Sequence, residues 1–213
     1  NHQFQNAFQT SSRNDFLAWR KEARDQLLKA FQDKLPACPF DPVLIHEEDR
    51  GTYLAQKIAF NLSTAERVTG YLLVPKGKGP FPAILALHDH GAHFSIGKEK
   101  VIRPIGESSG CIQDASEWVN KLYGGRFIGD EVARRSYVVF AMDALYWGSR
   151  GSSVEDPYSH QQALASNLFH LGMSWAGTIV QQDMCSVEFL RSLIPVDPDR
   201  IGAIGLSMGA NRV

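Results

Sequence analysis

The sequence has few cysteines, almost no net charge and no long apolar run, and each of these absences excludes a class of protein. The three cysteines, Cys38, Cys111 and Cys185, are odd in number and lack metal-ligand spacing, so they predict free thiols rather than a disulfide framework. The formal net charge of -1 gives no electrostatic reason to expect nucleic acid or an anionic membrane as a partner. No apolar run approaches the roughly 18 residues that a membrane span requires.

The amino terminus shows neither an initiator methionine nor a signal peptide. We therefore favour the cytoplasm as the compartment, with a processed secreted form as the alternative. The 213 residues, 44% of them hydrophobic, are enough for one buried core. Residues 1–13 are rich in Gln, Asn and Ser, and this composition predicts a loose arm. We expect residues 14–213 to form one domain.

The first part of that domain predicts a helix followed by short strands. Asn14 is a candidate N-cap, and apolar residues recur at helical spacing after it. We therefore expect a helix that runs to about Asp33 and covers the edge of the sheet. The pattern then changes to strands separated by tight turns, which favours an antiparallel meander. These strands are predicted at residues 43–46, 53–62 and 68–74.

The later part alternates continuous apolar runs with helical stretches. Such runs are typical of strands that are buried on both faces of a parallel sheet. They fall at residues 82–87, 137–142 and 201–205. Antiparallel strands followed by alternating strands and helices predict an α/β sandwich, with its functional loops at the carboxyl ends of the parallel strands.

A G-x-S-x-G motif directly follows the last predicted strand, as Gly205-Leu206-Ser207-Met208-Gly209. A serine hydroxyl is a poor nucleophile unless it is held exposed beside a base, and a sharp turn from strand to helix holds it in this way. Glycines on both sides of the serine allow the backbone to make that turn. Ser207 is therefore the candidate nucleophile.

The loop after the strand at 82–87 contains a His-Gly pair, within His88-Asp89-His90-Gly91-Ala92-His93. Backbone N–H groups in such a loop can bind the oxyanion of a tetrahedral intermediate. On this interpretation, the oxyanion donors are the N–H of Ala92 and the N–H of Met208, the residue after the nucleophile.

The same loop permits a zinc hydrolase as an alternative. His88, His90 and His93 form H-x-H-x-x-H, which resembles the zinc-binding loop of metallo-β-lactamase-like hydrolases. That family has an aspartate before the last histidine, where this chain has alanine. Only His160 and His170 remain as downstream histidines. A third interpretation is that the imidazoles only form hydrogen bonds and shape the loop.

The loop after the strand at 137–142 begins with Asp143 and continues to two aromatic residues, Tyr146 and Trp147. A carboxylate at a strand end more often caps the loop by accepting backbone N–H bonds, so we favour that role over a triad acid. The two aromatic side chains are predicted to line the acyl pocket, and plain packing is the alternative.

The stretch between Ala92 and Ser136 has no tidy period and forms a long insertion. Because it follows the oxyanion loop, we expect it to form much of the roof of the substrate pocket. Trp118 from this insertion and His90 from the loop are predicted to face that pocket.

Taken together, these motifs resemble the α/β-hydrolase superfamily, in particular its dienelactone hydrolase and acetyl xylan esterase-like branch. The similarity covers roughly residues 14–213. The features that carry it are Gly79-Pro80-Phe81-Pro82-Ala83, His88-Asp89-His90-Gly91, Asp143-Ala144-Leu145 with Gly148, Asp197-Pro198-Asp199-Arg200-Ile201 and the motif around Ser207.

The resemblance implies a serine esterase with a Ser–His–Asp triad, no cofactor and no metal. Its substrate would be a small-molecule ester, such as an acetylated carbohydrate or a lactone. Ser207 carries over as the nucleophile, and Ala92 and Met208 carry over as oxyanion donors.

The chain departs from the superfamily in one respect. The acid and the histidine normally follow the serine, and this sequence has no Asp, Glu or His after Ser207. His160 and His170 precede the serine on a predicted helix and are poor substitutes. We therefore expect the biological chain to continue past Val213 and to supply both groups. A catalytically inactive hydrolase-like binding module is the remaining alternative.

Overall fold

The computed structural model describes residues 13–30, 37–151 and 155–213, which are built around one six-stranded sheet. The strands lie in the order β1-β2-β3-β5-β4-β6. They are β1 (Val43–Asp49), β2 (Tyr53–Ser63), β3 (Glu66–Pro75), β4 (Phe81–Leu87), β5 (Val138–Met142) and β6 (Val196–Gly205). The helices are α1 (Arg13–Ala30), α2 (Ser109–Leu122), α3 (Ile128–Ala133), α4 (Pro157–His170), α5 (Trp175–Ser192) and α6 (Met208–Arg212).

The antiparallel half of the sheet is the predicted meander of β1, β2 and β3. Buried and partly exposed residues largely alternate along β2, as expected for a strand with one face on the core. β3 also pairs antiparallel with β5, so it joins the meander to the second half of the sheet. The predicted strand order along the chain is confirmed.

The parallel half consists of β5, β4 and β6. Every residue of β5 is buried, in agreement with its continuous apolar run. β6 begins earlier than predicted, at Val196, and it includes Pro198. Its register with β4 shifts between Phe81 and Ala83, and β4 is its only partner among the described residues. A proline without an N–H is tolerated in such an edge strand.

Apolar layers lie on both faces of the sheet, which makes the predicted sandwich. On one face Phe60 stacks on Phe189 of α5 at 4.6 Å between ring centroids, and Phe140 lies 5.2 Å from Phe189. On the other face Val139 packs in a cluster with Ile102, from the insertion. The insertion therefore supplies part of the core.

Helix α1 is present as predicted, but most of its large apolar side chains are exposed. Phe16, Leu17 and Leu27 are 40%, 50% and 55% exposed. The helix begins at Arg13, so Asn14 lies within its first turn and is not its N-cap. Asp33 and residues 1–12 of the predicted arm lie outside the described residues. Within the described part of the chain, we find no helix with the length and hydropathy of a membrane span.

Candidate active site

Ser207 occupies the turn between β6 and α6. Its backbone has φ 55° and ψ −120°, a conformation that is costly for a residue with a side chain and that persists where the surroundings enforce it. A Cβ on Gly205 would lie 2.3 Å from the carbonyl carbon of Gly209, and a Cβ on Gly209 would lie 2.1 Å from the carbonyl oxygen of Leu87. The two motif glycines therefore allow a turn that leaves Ser207 exposed at the carboxyl end of β6.

The His-Gly loop after β4 is a tight turn with two left-handed residues. Gly91 has φ 57° and Ala92 has φ 49°, and the N–H of His93 donates to the carbonyl of His90 at 3.5 Å. This is the arrangement of a type I′ turn. The N–H of Ala92 donates to Nδ1 of His90 at 2.9 Å. The donor predicted from the motif is thus already engaged inside the loop.

The three histidines of the loop do not meet as a metal site. His88 is fully buried, and its Nε2 accepts the N–H of Ala144 at 2.9 Å while its Nδ1 lies 2.9 Å from the carbonyl oxygen of Asp89. Because the N–H of Ala144 can only donate, Nε2 of His88 must be the unprotonated nitrogen. In the neutral imidazole the proton is therefore on Nδ1.

The other two imidazoles have protein partners as well. Nε2 of His90 lies 3.2 Å from Oε1 of Gln161, and Nε2 of His93 lies 2.5 Å from Oδ1 of Asp114. No group of three His, Cys, Asp or Glu within the described residues has a geometry that could hold a metal ion. These contacts favour the interpretation in which the imidazoles shape the loop.

Burial and the nearby cations Arg212 and Lys100 lower the pKa of His88 far below its ordinary value. The unfolded chain takes up this proton near pH 6.5 and the folded chain does not, so the free energy of unfolding should fall as the pH drops from about 6.5. His88→Gln removes the titrating group and should show a weaker fall. Urea unfolding at pH 7 and pH 5 measures the difference, and identical pH dependence in both proteins would contradict the assignment.

Asp143 caps the loop that follows β5, as its sequence position favours. Its buried carboxylate accepts the N–H of Lys98 at 2.7 Å and the N–H and hydroxyl of Ser149 at 2.9 and 2.8 Å. The ammonium of Lys98 lies 2.8 Å away and, despite burial, helps to lower the pKa of the Asp143 carboxyl group. A Cβ on Gly148 would lie 2.6 Å from this carboxylate. With these donors in place, Asp143 belongs to the loop structure.

Tyr146 and Trp147 lie in a buried aromatic cluster with Phe94 and Ile179, and Met208 packs against it. Trp147 is completely buried and its Nε1 donates to the carbonyl of His90 at 3.2 Å. Because no surface of this side chain is accessible in the described structure, its position favours the packing alternative over a pocket wall.

Tyr146 is in a different position within the same cluster. It is 6% exposed, has φ 87°, and its hydroxyl has no hydrogen-bond partner among the described residues. Its ring packs edge-on against Phe94 at 5.6 Å between centroids. The hydroxyl is buried and lacks a partner among the described residues, so the acyl-pocket role of Tyr146 stays a prediction.

Trp118 supports the His-Gly loop from below. Its ring stacks on His93 at 4.7 Å between centroids, and its Nε1 donates to Oδ2 of Asp89 at 3.2 Å. A Cβ on Gly91 would lie 2.3 Å from the same ring. In this position the ring supports the loop, and the place of Trp118 in a pocket roof stays a prediction.

A run of buried charges in the insertion, Lys98-Glu99-Lys100, was not singled out by the sequence analysis. The three residues are 1%, 3% and 0% exposed and form a short 3₁₀ helix. Consecutive charged residues are almost always exposed, so nothing in this run alone indicates burial. Tyr123 was also missed, and its hydroxyl donates to Oδ2 of Asp89 at 2.6 Å.

An open cavity of about 640 Å³ lies beside the loop. Its walls are Ala92, His93, Phe94, Ser95, Gly148, Gly151 and Pro157. The polar wall is preorganised, because the hydroxyl of Ser95 donates to Asp114 at 2.7 Å and Asp114 also contacts His93. From the insertion, only its first four residues line this cavity.

The features described so far define a class of protein. A serine held in a strained turn between a parallel strand and a helix, at the carboxyl edge of a mixed sheet, is the arrangement of an α/β-hydrolase. The chain belongs to the Abhydrolase family, whose model matches residues 1–213.

Individual relatives agree with this family. The chain is 27% identical over 191 residues to the "Putative hydrolase YtaP" of Bacillus subtilis (strain 168), a match that covers 89% of this chain and 57% of that protein. It superposes with a TM-score of 0.76 and 23% identity on the crystal structure of "a putative acetyl xylan esterase" from Bacteroides fragilis NCTC 9343, covering 98% of this chain and 52% of the other. A glucuronoyl esterase from Solibacter usitatus has a TM-score of 0.54 and 15% identity, with coverages of 95% and 55%.

These similarities confirm the predicted fold and family. The chain spans little more than half the length of these three relatives. At these identities, the likeness to the solved structures concerns the fold alone.

Proposed function

We propose that the protein carrying this chain is a serine carboxylic-ester hydrolase with Ser207 as its nucleophile. The observation that carries the proposal is the backbone of Ser207, at φ 55° and ψ −120° between two glycines that pack against backbone atoms. Such strain is retained where the fold must present a side chain, and here that side chain is an exposed hydroxyl.

The reaction proceeds through an acyl-enzyme. The Oγ of Ser207 attacks the ester carbonyl and loses its proton to a base, and the resulting oxyanion is bound by N–H donors. The N–H of Met208 lies in the first turn of α6, where amides have no acceptor within the helix. The tetrahedral intermediate releases the alcohol, which takes the proton, and water then hydrolyses the acyl-serine.

The described residues do not provide the base and the acid. His160 and His170 lie on α4, as predicted, and both are exposed. Asp143 is saturated by four donors. We assign neither role to any of these residues.

The substrate class that we propose is a small ester such as an acetylated carbohydrate or a lactone. Two observations support it. The cavity beside the loop combines an apolar wall with the preorganised polar side chains of His93 and Ser95. Two solved structures that share the fold are named as acetyl xylan esterases, one of them as a putative one.

An organophosphonate probe tests the nucleophile directly. It should form one adduct, on the peptide that contains Ser207, and it should abolish ester hydrolysis. Incubation with a chelator should leave hydrolysis unchanged. Inhibition by the chelator without any serine adduct would move the assignment to the zinc alternative, and an absence of both labelling and hydrolysis would favour a binding module.

Tyr146→Phe tests the predicted place of Tyr146 in the acyl pocket while keeping the ring. The change removes a buried hydroxyl that lacks a partner, so the free energy of unfolding should stay equal or rise by up to about 1 kcal/mol. KM for the preferred ester should increase several-fold, because the ligand loses a hydrogen-bond partner. Tyr158→Phe, at a residue 54% exposed on α4, is the matched control. An unchanged KM would restrict Tyr146 to packing.

A further inference from the structure

A buried lysine lies beneath the His-Gly loop. Lys100 is 0% exposed, and its Nζ lies 3.0 Å from the carbonyl oxygen of His90 and 3.2 Å from that of Asp89. Both carbonyls therefore point inward, toward the ammonium. The insertion that supplies Lys100 thus holds the backbone of the loop after β4.

Stability alone does not explain an ammonium in this place. Its nearest carboxylate oxygen, Oδ1 of Asp89, lies 3.7 Å away, and the ring of Trp118 lies 4.9 Å from it. Burial lowers the pKa of Lys100 to about 8, so its contacts do not compensate fully for the loss of water. Apolar residues of similar volume can often replace a whole buried ion pair at no cost, so the pairing with Asp89 does not by itself account for a buried lysine, and the two carbonyl contacts are the distinctive feature.

The contacts with the carbonyls determine the direction of the loop's amides. In a trans peptide the N–H points opposite to the C=O, so a His90 carbonyl that points inward turns the N–H of Gly91 away from Lys100. The next amide, that of Ala92, donates to Nδ1 of His90. Of these two amides, the one that the loop leaves available for a ligand is that of Gly91.

We propose that Lys100 is a positioning residue for the oxyanion side of the ester hydrolysis, because it holds the carbonyl of His90, next to that of Asp89, and so keeps the N–H of Gly91 turned outward. The inference rests on the proposed function, since it assigns the loop a place in that reaction. It replaces Ala92 with Gly91 as the amide that the loop offers.

Lys100→Met removes the contacts between the ammonium and the carbonyls of Asp89 and His90, which we call the clamp. Lys57→Met is its matched control. Lys57 lies partly buried on β2 and loses its ion pair with Glu107, 2.6 Å away, on the same substitution. Within the described part of the chain, its side chain does not bond to the loop. Lys100→Met should lower kcat about 10- to 100-fold with little change in KM, because misplacing a catalytic group by about 1 Å has an effect of that order. Lys57→Met should keep kcat within about twofold.

Hydrogen exchange gives a readout that does not depend on activity. The N–H of Ala92 should exchange several-fold faster in Lys100→Met than in the wild type, and at the wild-type rate in Lys57→Met. If Ser207→Ala were still active, the esterase proposal would fail while this measurement would still report on the clamp. Unchanged exchange and unchanged kcat in Lys100→Met would overturn the clamp and leave the esterase proposal intact.

The wild-type pH profile keeps the inference testable if Lys100→Met does not fold. Because the pKa of Lys100 is lowered to about 8, kcat should fall as the pH rises from 7 to 9.5. Over the same range the unfolded chain binds more protons at this residue than the folded chain does, so its contribution to stability increases with pH. A loss of kcat without a loss of stability is therefore expected, and a flat kcat across this range would overturn the inference.

The other groups that face the ammonium are Asp89, Asp114, Asp143 and His88. The pKa values of Asp143 and His88 are lowered, and that of Tyr123, which is bonded to Asp89, is raised. All three pKa values are shifted away from pH 8, so titration of these groups does not cause the expected fall in kcat between pH 7 and 9.5.

Discussion

Replacing Ser207 with alanine should lower kcat for ester hydrolysis by about 10⁵- to 10⁶-fold in the protein that carries this chain, as the loss of a serine nucleophile does in other hydrolases. The variant should fold normally, because the side chain of Ser207 is exposed and caps no helix N–H. Initial rates on a small aryl acetate, together with thermal unfolding, measure the two effects separately.

Ser192→Ala is a suitable control for that experiment. Ser192 lies at the end of α5, where its hydroxyl donates to the carbonyl of Phe189 at 2.7 Å. The control should retain wild-type kcat. If Ser207→Ala kept more than about a tenth of the activity, a serine nucleophile at this position would be excluded.

Gly209→Ala should be the most destabilising small substitution near the site. The new methyl group would lie 2.1 Å from the carbonyl oxygen of Leu87 and 3.0 Å from that of His88, and both are backbone atoms that cannot rotate away. We expect the free energy of unfolding to fall by at least about 3 kcal/mol, since overpacking against backbone forces the turn around Ser207 and β4 apart. Urea unfolding measures this change, and hydrolysis should fall with it.

Gly110→Ala is the same chemical change in open space. A Cβ on Gly110 meets nothing closer than the hydroxyl of Ser108, at 4.0 Å, and the residue lies in α2. Alanine should stabilise this helix by up to about 1 kcal/mol. If both glycine variants changed the free energy of unfolding alike, the close packing of the turn around Ser207 would not be the cause of the loss in Gly209→Ala.

The site could be predicted from the sequence where its chemistry depends on neighbouring residues. The turn around Ser207 needs glycines at two fixed positions, and the run before it forms a strand, so the motif and its context are local. The capping role of Asp143 also follows from its place at a strand end. In contrast, the engagement of the Ala92 amide depends on the rotamer of His90, which no sequence pattern specifies.

The charged residues beneath the loop could not be predicted, because their partners are distant along the chain. Lys98 binds Asp143 across 45 residues, and Trp118 binds Asp89 across 29 residues. A charge run without known partners is most often solvated, so sequence reasoning assigns it to the surface. Trp118 was placed in a pocket roof for the same reason, since its stacking partner is known only after folding.

By itself, the sequence determined the order of strands, the change from antiparallel to parallel pairing and the position of the exposed serine, since these follow from apolar periodicity and glycine spacing within short segments. Only the tertiary structure decided which charges are buried, which amides of the His-Gly loop are free and that the insertion lies under this loop. The physical reason is that burial and hydrogen bonding are properties of pairs, and the partners of Asp89 and Asp143 come from other elements of the fold.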